Sequence, residues 1–548
     1  MRRTLVPVTF LAAALPAQML SLRPDIAGRH AAVSSDHALA SAAGMEVLRH
    51  GGNAIDAAIT MAGVLAVVRP HMNGVGGDNF ILYYEAKSGR VYGLNGSGRA
   101  GERATPAFFS AKGLTTVPQN GVLSVSVPGA VRGWEDALRR FGTFTMAQAL
   151  APAIRVASEG FPVSPRLALD IAADVKLLTV DSALARTFLV DGAAPRPGSL
   201  LVQRDLAATL RTIATRGATA YYTGPLAQRI ADFIGREGGL VTAADLAAHR
   251  STWDEPIRTS YLDKTIVALP PNTQGATFLE MLSLAEAHDL TAMGRGSADY
   301  IHLLAEGAKL AYADRDRFIA DPAFASVPVD RLISKAYARE RGAGIRVDTI
   351  TAKDAGDGTR NGTGDTVYLT VVDAQGNAVS MIQSLFAVFG SGRMVPGTGI
   401  VLHNRGALYS LDPNHPNIIA PGKRPFHTLT PALALNGDGS LFASFGTPGG
   451  DGQPQTLIQV LNNVLRFGMS PQQAVEAPRW RVFANGRLAL EPGVADAVRA
   501  TLARRGQRVS EQPPSAEFGG AQIIVVDPAS KARRVGSDPR REAYGIVW

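Results

Sequence analysis

The sequence predicts an α+β fold, with helices over most of the chain as far as Arg317 and strands gathering after Thr366. Three observations lead there. Helical patterns of small or amphipathic residues recur from Leu39 to Arg317, period-two alternation sets in at Thr366, and two glycine loops mark junctions between strands and helices.

The elements follow in order. Ala31-Ala-Val-Ser34 reads as a short strand, followed by two alanine-rich helices, Leu39–His50 and Ala54–Val68, separated by Gly51-Gly52. Small side chains at helical spacing imply close packing on a sheet or another helix. Gly74-Val-Gly-Gly-Asp78 turns into a strand over Phe80–Tyr84; it lacks the lysine and Ser/Thr of a phosphate loop. Amphipathic helices are predicted over Ala130–Arg140, Met146–Glu159, Leu206–Arg216 and Pro225–Glu237. Ile301, Leu304, Ala308 and Ala311 mark another helix face, which ends at Ala313-Asp-Arg-Asp-Arg317. That charged end reads as a solvated or structural ion-pair cluster, with catalysis as the alternative.

A polar, glycine-rich run, Asp357-Gly-Thr-Arg-Asn-Gly-Thr-Gly-Asp365, stops at Thr366, where a hairpin begins. Its strands are Thr366–Asp373 and Ala378–Ser384, joined by Ala374-Gln-Gly-Asn377. Closing that turn between Asp373 and Ala378 sets Thr366 opposite Leu385 and next to Ser384; a bulge shifts this by one residue. A linker feeding a threonine at the head of a buried-looking strand is the layout of a self-cleaving N-terminal nucleophile enzyme. Cutting before Thr366 creates a nucleophile, its hydroxyl, and a base, the new α-amine, whose ordinary pKa is about 8. Threonine is also a favoured strand residue, so a packing role stands beside the catalytic one on the hairpin alone. Beyond it, Gly446-Thr-Pro-Gly-Gly-Asp-Gly452 precedes a helix over Leu457–Phe467. Backbone N–H groups in such a loop can hold an oxyanion.

Composition narrows the chemistry. The 548 residues exceed one ordinary core, so one large or two intimately packed domains are expected. A hydrophobic share of 46% against 19% charged excludes a disordered chain. The net charge of +8 comes from dispersed arginines, with no basic block and no interleaved aromatics, so no nucleic-acid partner is indicated. The chain has no cysteine, which removes disulfides, thiolate metal sites and a cysteine nucleophile and leaves hydroxyl groups. Its ten histidines show no metal-ligand spacing, and neither a metal nor another cofactor is expected. Arg2-Arg3 followed by apolar Leu5–Leu15, with small residues through Ala17, reads as a signal peptide over residues 1–17. A periplasmic or secreted protein is expected, with a cytoplasmic one as the alternative. No other segment reaches transmembrane length, so an integral membrane protein is not expected.

Several segments together resemble the γ-glutamyltransferase (glutathione hydrolase) family. They are Ala38-Leu-Ala-Ser-Ala-Ala-Gly-Met-Glu-Val-Leu-Arg-His-Gly-Gly-Asn-Ala-Ile-Asp56, Gly74–Phe80, His302–Pro322, Gly364–Val379, Lys423-Arg-Pro425, Thr447-Pro-Gly-Gly450 and Ser537-Asp-Pro-Arg-Arg541. They run in family order from about residue 30 to the C-terminus. The resemblance implies a four-layer αββα sandwich of the N-terminal nucleophile hydrolase type. It also implies autocatalytic cleavage between Asp365 and Thr366 into a large subunit, residues 18–365, and a small catalytic subunit, residues 366–548. Thr366 would attack a substrate amide and form an acyl-enzyme, with water or an acceptor amine taking the acyl group. The family's second hydroxyl falls on Ser384, and its oxyanion pair on Gly449 and Gly450.

The departures concern the substrate clamp. The family's carboxylate-binding arginine falls on Ser97, with Arg99 two residues on, and its serine pair falls on His427 and Thr428. The asparagine that holds the substrate amino group becomes Phe386, and the aspartate falls near Leu408 in Asn404-Arg-Gly-Ala-Leu408. An apolar side chain cannot pair an ammonium group. These changes resemble the acylase-like branch, which includes cephalosporin-acylase-like and oxamate-amidohydrolase-like members. Arg405, Arg99, His427 and Thr428 are the candidates to receive a substrate carboxylate, with structural roles as the alternative. The expected function is hydrolysis of a γ-glutamyl or similar carboxylate-bearing small amide. A non-glutamyl acylase is the alternative, and a non-catalytic homologue binding a small anion or partner protein stands behind it.

Overall fold

A computed structural model of the chain describes residues 21–351 and 365–548. The predicted signal peptide and the linker 357–364 lie outside the described residues. Two seven-stranded sheets stack face to face. The first runs, edge to edge, Tyr544–Val547, Ala32–Ser35, Asp365–Val372, Ala378–Phe386, Asp78–Glu85, Arg90–Asn95 and Thr252–Asp254. The second runs Ile26–Gly28, Arg533–Ser537, Gln522–Val526, Leu441–Gly446, Ala432–Leu435, Lys264–Ala268 and Ile257–Tyr261. Every ladder within them is antiparallel.

Alternation along the strands builds three apolar layers. Val367, Leu369 and Val371 face a helical layer that includes the Ala54–Val68 helix. Tyr368 and Val372 face inward, where Phe80, Ile382, Leu433 and Ile524 fill the space between the sheets. On the far side of the second sheet, Ala434, Ala443 and Phe445 pack under the helices Gly275–Glu286, Ala298–Phe318 and Gln453–Leu465. The result is the four-layer αββα sandwich.

Local chemistry sets the helices. Ala54–Val68 is buried on all sides, and its start is fixed by a capping box: Asn53 Oδ1 accepts the Ile55 and Asp56 amides while Asp56 Oδ2 accepts the Asn53 amide. The helix predicted to stop at Arg216 breaks one residue later. Gly217 takes φ 65°, and a second helical stretch runs on to Tyr222. The helix expected from Leu457 begins at Gln453, because Pro454 is tolerated in a first turn where its missing N–H has no duty. Among the described residues, no helix is long and apolar enough to cross a membrane.

The central hairpin departs from the predicted register. Val372 pairs with Ala378 and Val367 with Gln383, so Asp373 belongs to the loop. Asp373 is taken up there by its side chain, which accepts the Asn377 amide at 2.9 Å and the Ala54 amide of the neighbouring helix at 3.1 Å. The shift matters because one residue of slip exchanges the faces of a strand. The observed register turns Ser384 to the inter-sheet face together with Thr366. A bulge between Asp365 and Val367 then brings Asp365 opposite Phe386.

Candidate active site

Thr366 sits at that bulge and is 1% exposed. Its hydroxyl donates to Ser384 Oγ at 3.1 Å, and Ser384 in turn donates to the Asp365 carbonyl at 2.8 Å. The Phe386 amide donates to the same Ser384 oxygen at 2.7 Å. With one donor and two acceptor positions used, the Ser384 hydroxyl has a single orientation. It joins the Thr366 hydroxyl to the Asp365 carbonyl. Asp365 is anchored from the other side by Arg541, whose Nη1 lies 2.8 Å from Oδ1, and the Thr366 amide donates to that oxygen at 3.0 Å.

One strand over, Asp78 lies directly opposite Ser384. Gly77 beside it is required by close approach, since a Cβ there would lie 2.4 Å from the Ser384 carbonyl oxygen. Asp78 Oδ1 accepts the Gly98 amide at 3.1 Å; Oδ2 lies 3.1 Å from His427 Nε2 and 3.2 Å from His403 Nδ1. The His427 contact has hydrogen-bond geometry and the His403 contact does not. Burial opposes the Asp78 charge, yet the His403 and His427 rings outweigh it and hold the carboxyl well below the usual carboxylate range. Burial and the Arg405 charge push His427 down to about 3, so its ring is neutral and Nδ1 is a bare acceptor.

Arg405 is fully enclosed and lies over the Phe386 ring, 4.6 Å from its centroid. Its Nη1 donates to Thr428 Oγ1 at 3.3 Å, while Nε and Nη2 have no hydrogen-bond partner among the described residues. Burial pushes its pKa down to about 9 against the fields of Asp78 and Asp451, so it stays cationic at neutral pH. Arg99, by contrast, turns away: its Nη1 donates to the Arg250 carbonyl at 3.4 Å, beside Arg424. Ser97 is occupied by Asn272, whose Nδ2 reaches its hydroxyl at 3.2 Å.

The glycine loop closes the site from the second sheet. Gly449 takes φ 129° and Gly450 φ 56°, conformations that L side chains rarely adopt. Among the described residues neither glycine amide donates to an acceptor, so both stand ready as hydrogen-bond donors. Helices from earlier in the chain hold this loop in place. Gln274 Nε2 donates to the Gly450 carbonyl at 3.2 Å and to the Thr428 carbonyl at 2.6 Å. Arg315 Nη1 pairs with Asp451 Oδ1 at 2.7 Å, and the Tyr312 hydroxyl donates to the Asp451 carbonyl at 2.5 Å. The charged end of the Ala298–Phe318 helix is thus a structural ion-pair cluster, with Arg315 buried under the loop.

Sequence reasoning missed Asp78, His403, Gln274 and Arg541 as parts of this neighbourhood. A signal for Asp78 was present: it follows three glycines at the head of a strand, on the parity of Phe80, Leu82 and Tyr84, which face inward. A further buried carboxyl, Asp36, accepts the Tyr368 amide and Gln522 Nε2, each at 2.9 Å, and burial pushes it up to about 7. Among the described residues, no group of three or more His, Asp or Glu side chains could hold a metal ion.

Comparison with known proteins places this geometry. The chain is 42% identical over 460 residues to the glutathione hydrolase-like YwrD proenzyme of Bacillus subtilis, covering 84% of this chain and 86% of that one. It is 40% identical over 515 residues to the acylase ACY 1 proenzyme of Pseudomonas sp. strain SE83, covering 91% and 90%. The crystal structure of cephalosporin acylase from Bacillus halodurans superposes with a TM-score of 0.90 at 37% identity, over 99% of both chains. The sequence model for gamma-glutamyltranspeptidase matches residues 40–548, and the chain belongs to the gamma-glutamyltranspeptidase family.

Proposed function

We propose that this protein is an autoprocessing N-terminal-threonine amidohydrolase, cut between Asp365 and Thr366 into subunits of residues 18–365 and 366–548. The observation that carries this is the hydrogen-bond chain from Thr366 Oγ1 through Ser384 Oγ to the Asp365 carbonyl. In the first step Thr366 Oγ attacks the Asp365 carbonyl carbon. Its proton passes to Ser384 Oγ as the Ser384 proton moves to the carbonyl oxygen, giving an uncharged tetrahedral intermediate. The C–N bond then breaks, the nitrogen takes a proton, and an ester joins Asp365 to Thr366 Oγ. Water hydrolyses the ester, freeing the Asp365 carboxylate and the Thr366 hydroxyl, beside the α-amine released when the C–N bond broke.

In turnover the α-amine serves as base, Thr366 Oγ attacks the substrate amide, and the acyl group leaves by hydrolysis. The Gly449 and Gly450 amides stabilise the oxyanion, and losing such a donor typically slows a reaction roughly a hundred- to a thousandfold. Arg405 and Thr428 receive a substrate carboxylate, with neutral His427 beside them; Arg99 is positioned for a structural role instead. The substrate class is a γ-glutamyl or similar small carboxylate-bearing amide, and the acylase relatives support a non-glutamyl acyl group equally. Export through residues 1–17 belongs to the same proposal and is tested by sequencing the mature N-terminus.

Intact mass under denaturing conditions tests the reading. Two chains meeting at Asp365/Thr366, absent in Thr366→Ala, are expected. A parent protein that stays uncut would overturn it.

A further inference from the structure

Two arginines meet at one carbonyl, and a third stands beside them, where the first sheet loses its last ladder. The strands Arg90–Asn95 and Thr252–Asp254 pair as far as Asn95 and Thr252 and then part. Arg424, from the part of the chain after Thr366, fills the opening. Its Nε donates to the Ser97 carbonyl at 3.2 Å, its Nη1 to Thr252 Oγ1 at 3.2 Å and its Nη2 to the Arg250 carbonyl at 3.5 Å. Arg99 Nη1 donates to that same carbonyl at 3.4 Å. Arg250 turns its own Nη1 back onto the Ala247 and His249 carbonyls.

Every acceptor of these guanidinium groups is neutral, and the bonds of Arg99 and Arg424 are long beside the usual value of about 2.9–3.0 Å. Among the described residues, no carboxylate forms an ion pair with Arg99, Arg250 or Arg424. Asp321 accepts only the Arg424 backbone amide, and with Asp254 it acts on the guanidinium from farther off. Arg315 and Arg479, buried to a similar depth, differ: each has a carboxylate, Asp451 and Asp538 respectively. Burial and the charge of Arg99 pull Arg424 down to about 10. Beyond burial, the charges of Arg424, Arg99 and Arg132 also press the neighbouring His249 toward its neutral form. Like charges gathered round one neutral oxygen repel each other, and a doubly charged anion turns that repulsion into attraction. A guanidinium fork is shaped for such an oxyanion, and Arg99 has Nε and Nη2 without a hydrogen bond among the described residues.

We infer that Arg99 and Arg424, with Arg250 adding its charge, form a binding site for a small oxyanion carrying two negative charges, of the phosphate or sulfate class. The site shares no residue with the pocket of Arg405, Thr428 and His427, and it does not depend on the amidohydrolase reading. Arg99 and Arg250 precede Thr366 and Arg424 follows it, so the bound anion ties the two parts of the chain together at the end of the first sheet.

Calorimetric titration of the purified protein with sodium phosphate, at an ionic strength held constant with sodium chloride, tests this. One phosphate per molecule is expected, displaced by sulfate and not by chloride. Arg99→Gln removes a charged donor and should weaken binding about tenfold or more. Arg534→Gln removes the same charge from the exposed side of the Arg533–Ser537 strand, at the far end of the sheets, and should change binding less than about twofold. Saturating phosphate should raise the urea midpoint of the parent and leave that of Arg99→Gln unchanged. The Thr366→Ala protein should bind phosphate as the parent does, which separates this site from the cutting reaction. No saturable binding, equal binding by Arg99→Gln, an equal loss in Arg534→Gln, or an equal rise of midpoint in Arg99→Gln overturns the inference.

Discussion

Replacing Ser384 by alanine removes three hydrogen bonds at one atom, and each has a separate consequence. The Asp365 carbonyl loses the donor at 2.8 Å that delivers a proton to its oxygen as the tetrahedral intermediate forms, an effect of roughly a hundred- to a thousandfold in rate. The Thr366 hydroxyl loses the acceptor at 3.1 Å that fixes its rotamer, and three staggered positions instead of one cost about another threefold. Together these predict autoprocessing slowed by roughly 300- to 3,000-fold. The third loss falls on stability. The buried Phe386 amide, held at 2.7 Å in a residue with φ 77°, is left without a partner, which costs about 1–3 kcal/mol. The assay follows uncut chain by intact mass over time after purification, with urea denaturation of both proteins in a Thr366→Ala background to read stability apart from cutting. Ser384→Thr keeps the hydroxyl and should be cut within tenfold of the parent rate. A Ser384→Ala protein cut at a rate within tenfold of the parent would show that the relay is not what drives the acyl shift.

Three further outcomes follow from the same geometry. Gly449→Ala forces a side chain into φ 129° with its Cβ 3.2 Å from the Gly519 Cα, a strain of about 1–3 kcal/mol that displaces the oxyanion donors; kcat should fall roughly a hundredfold or more with KM little changed. Arg541→Met strands the Asp365 carboxylate, both partners being nearly enclosed, and should destabilise the Thr366→Ala precursor by about 3–5 kcal/mol in urea titration. His249 is buried, stacks on Tyr222 and has, among the described residues, no hydrogen bond to either ring nitrogen, and burial pushes it down to about 3. The unfolded chain therefore takes up this proton first, so stability falls as pH drops from about 6.5 toward 3. His249→Phe keeps the stacking and should be more stable than the parent by about 2 kcal/mol at pH 5, with little difference from this cause at pH 8; equal pH profiles would refute the assignment.

Much of this molecule was legible before its structure. The Ala54–Val68 helix starts and stops where its Asn53 cap and apolar run say it should, and Met146–Glu159 does likewise behind Thr145. These ends are set by side chains one or three residues away, which is information a sequence carries locally. The hairpin register was less accessible, because Asp373 closes its own loop through the Asn377 amide and side chain and also takes the amide of Ala54, a residue 319 positions away. That loop, closed by a side chain, replaces the expected four-residue turn, and the slip matters, since it decides which face Ser384 presents. The site divided along the same line. Thr366 and Ser384 share one hairpin and could be read together. Gln274, Arg315 and Arg541 reach the site from three other parts of the chain, and no local pattern joins them to it. Arg99 illustrates the reverse error of proximity in number: two residues from a family clamp position, it points to the Arg250 carbonyl.

The order of strands in the two sheets has a consequence for the life of the molecule after cutting. Strands from before Thr366 lie between or beside strands from after it in both sheets, at Ala32–Ser35, Asp78–Glu85, Ile26–Gly28 and Lys264–Ala268. The proposed cut therefore severs one peptide bond but leaves two polypeptides laminated through shared ladders. Folding of the precursor is a first-order event; reassembly of the cut pair from denatured halves is second order, and each half alone exposes unpaired strand edges. Maturation thus changes the molecularity of the folding reaction. An enzyme that reached its native state once, as one chain, loses at high dilution the route by which it got there.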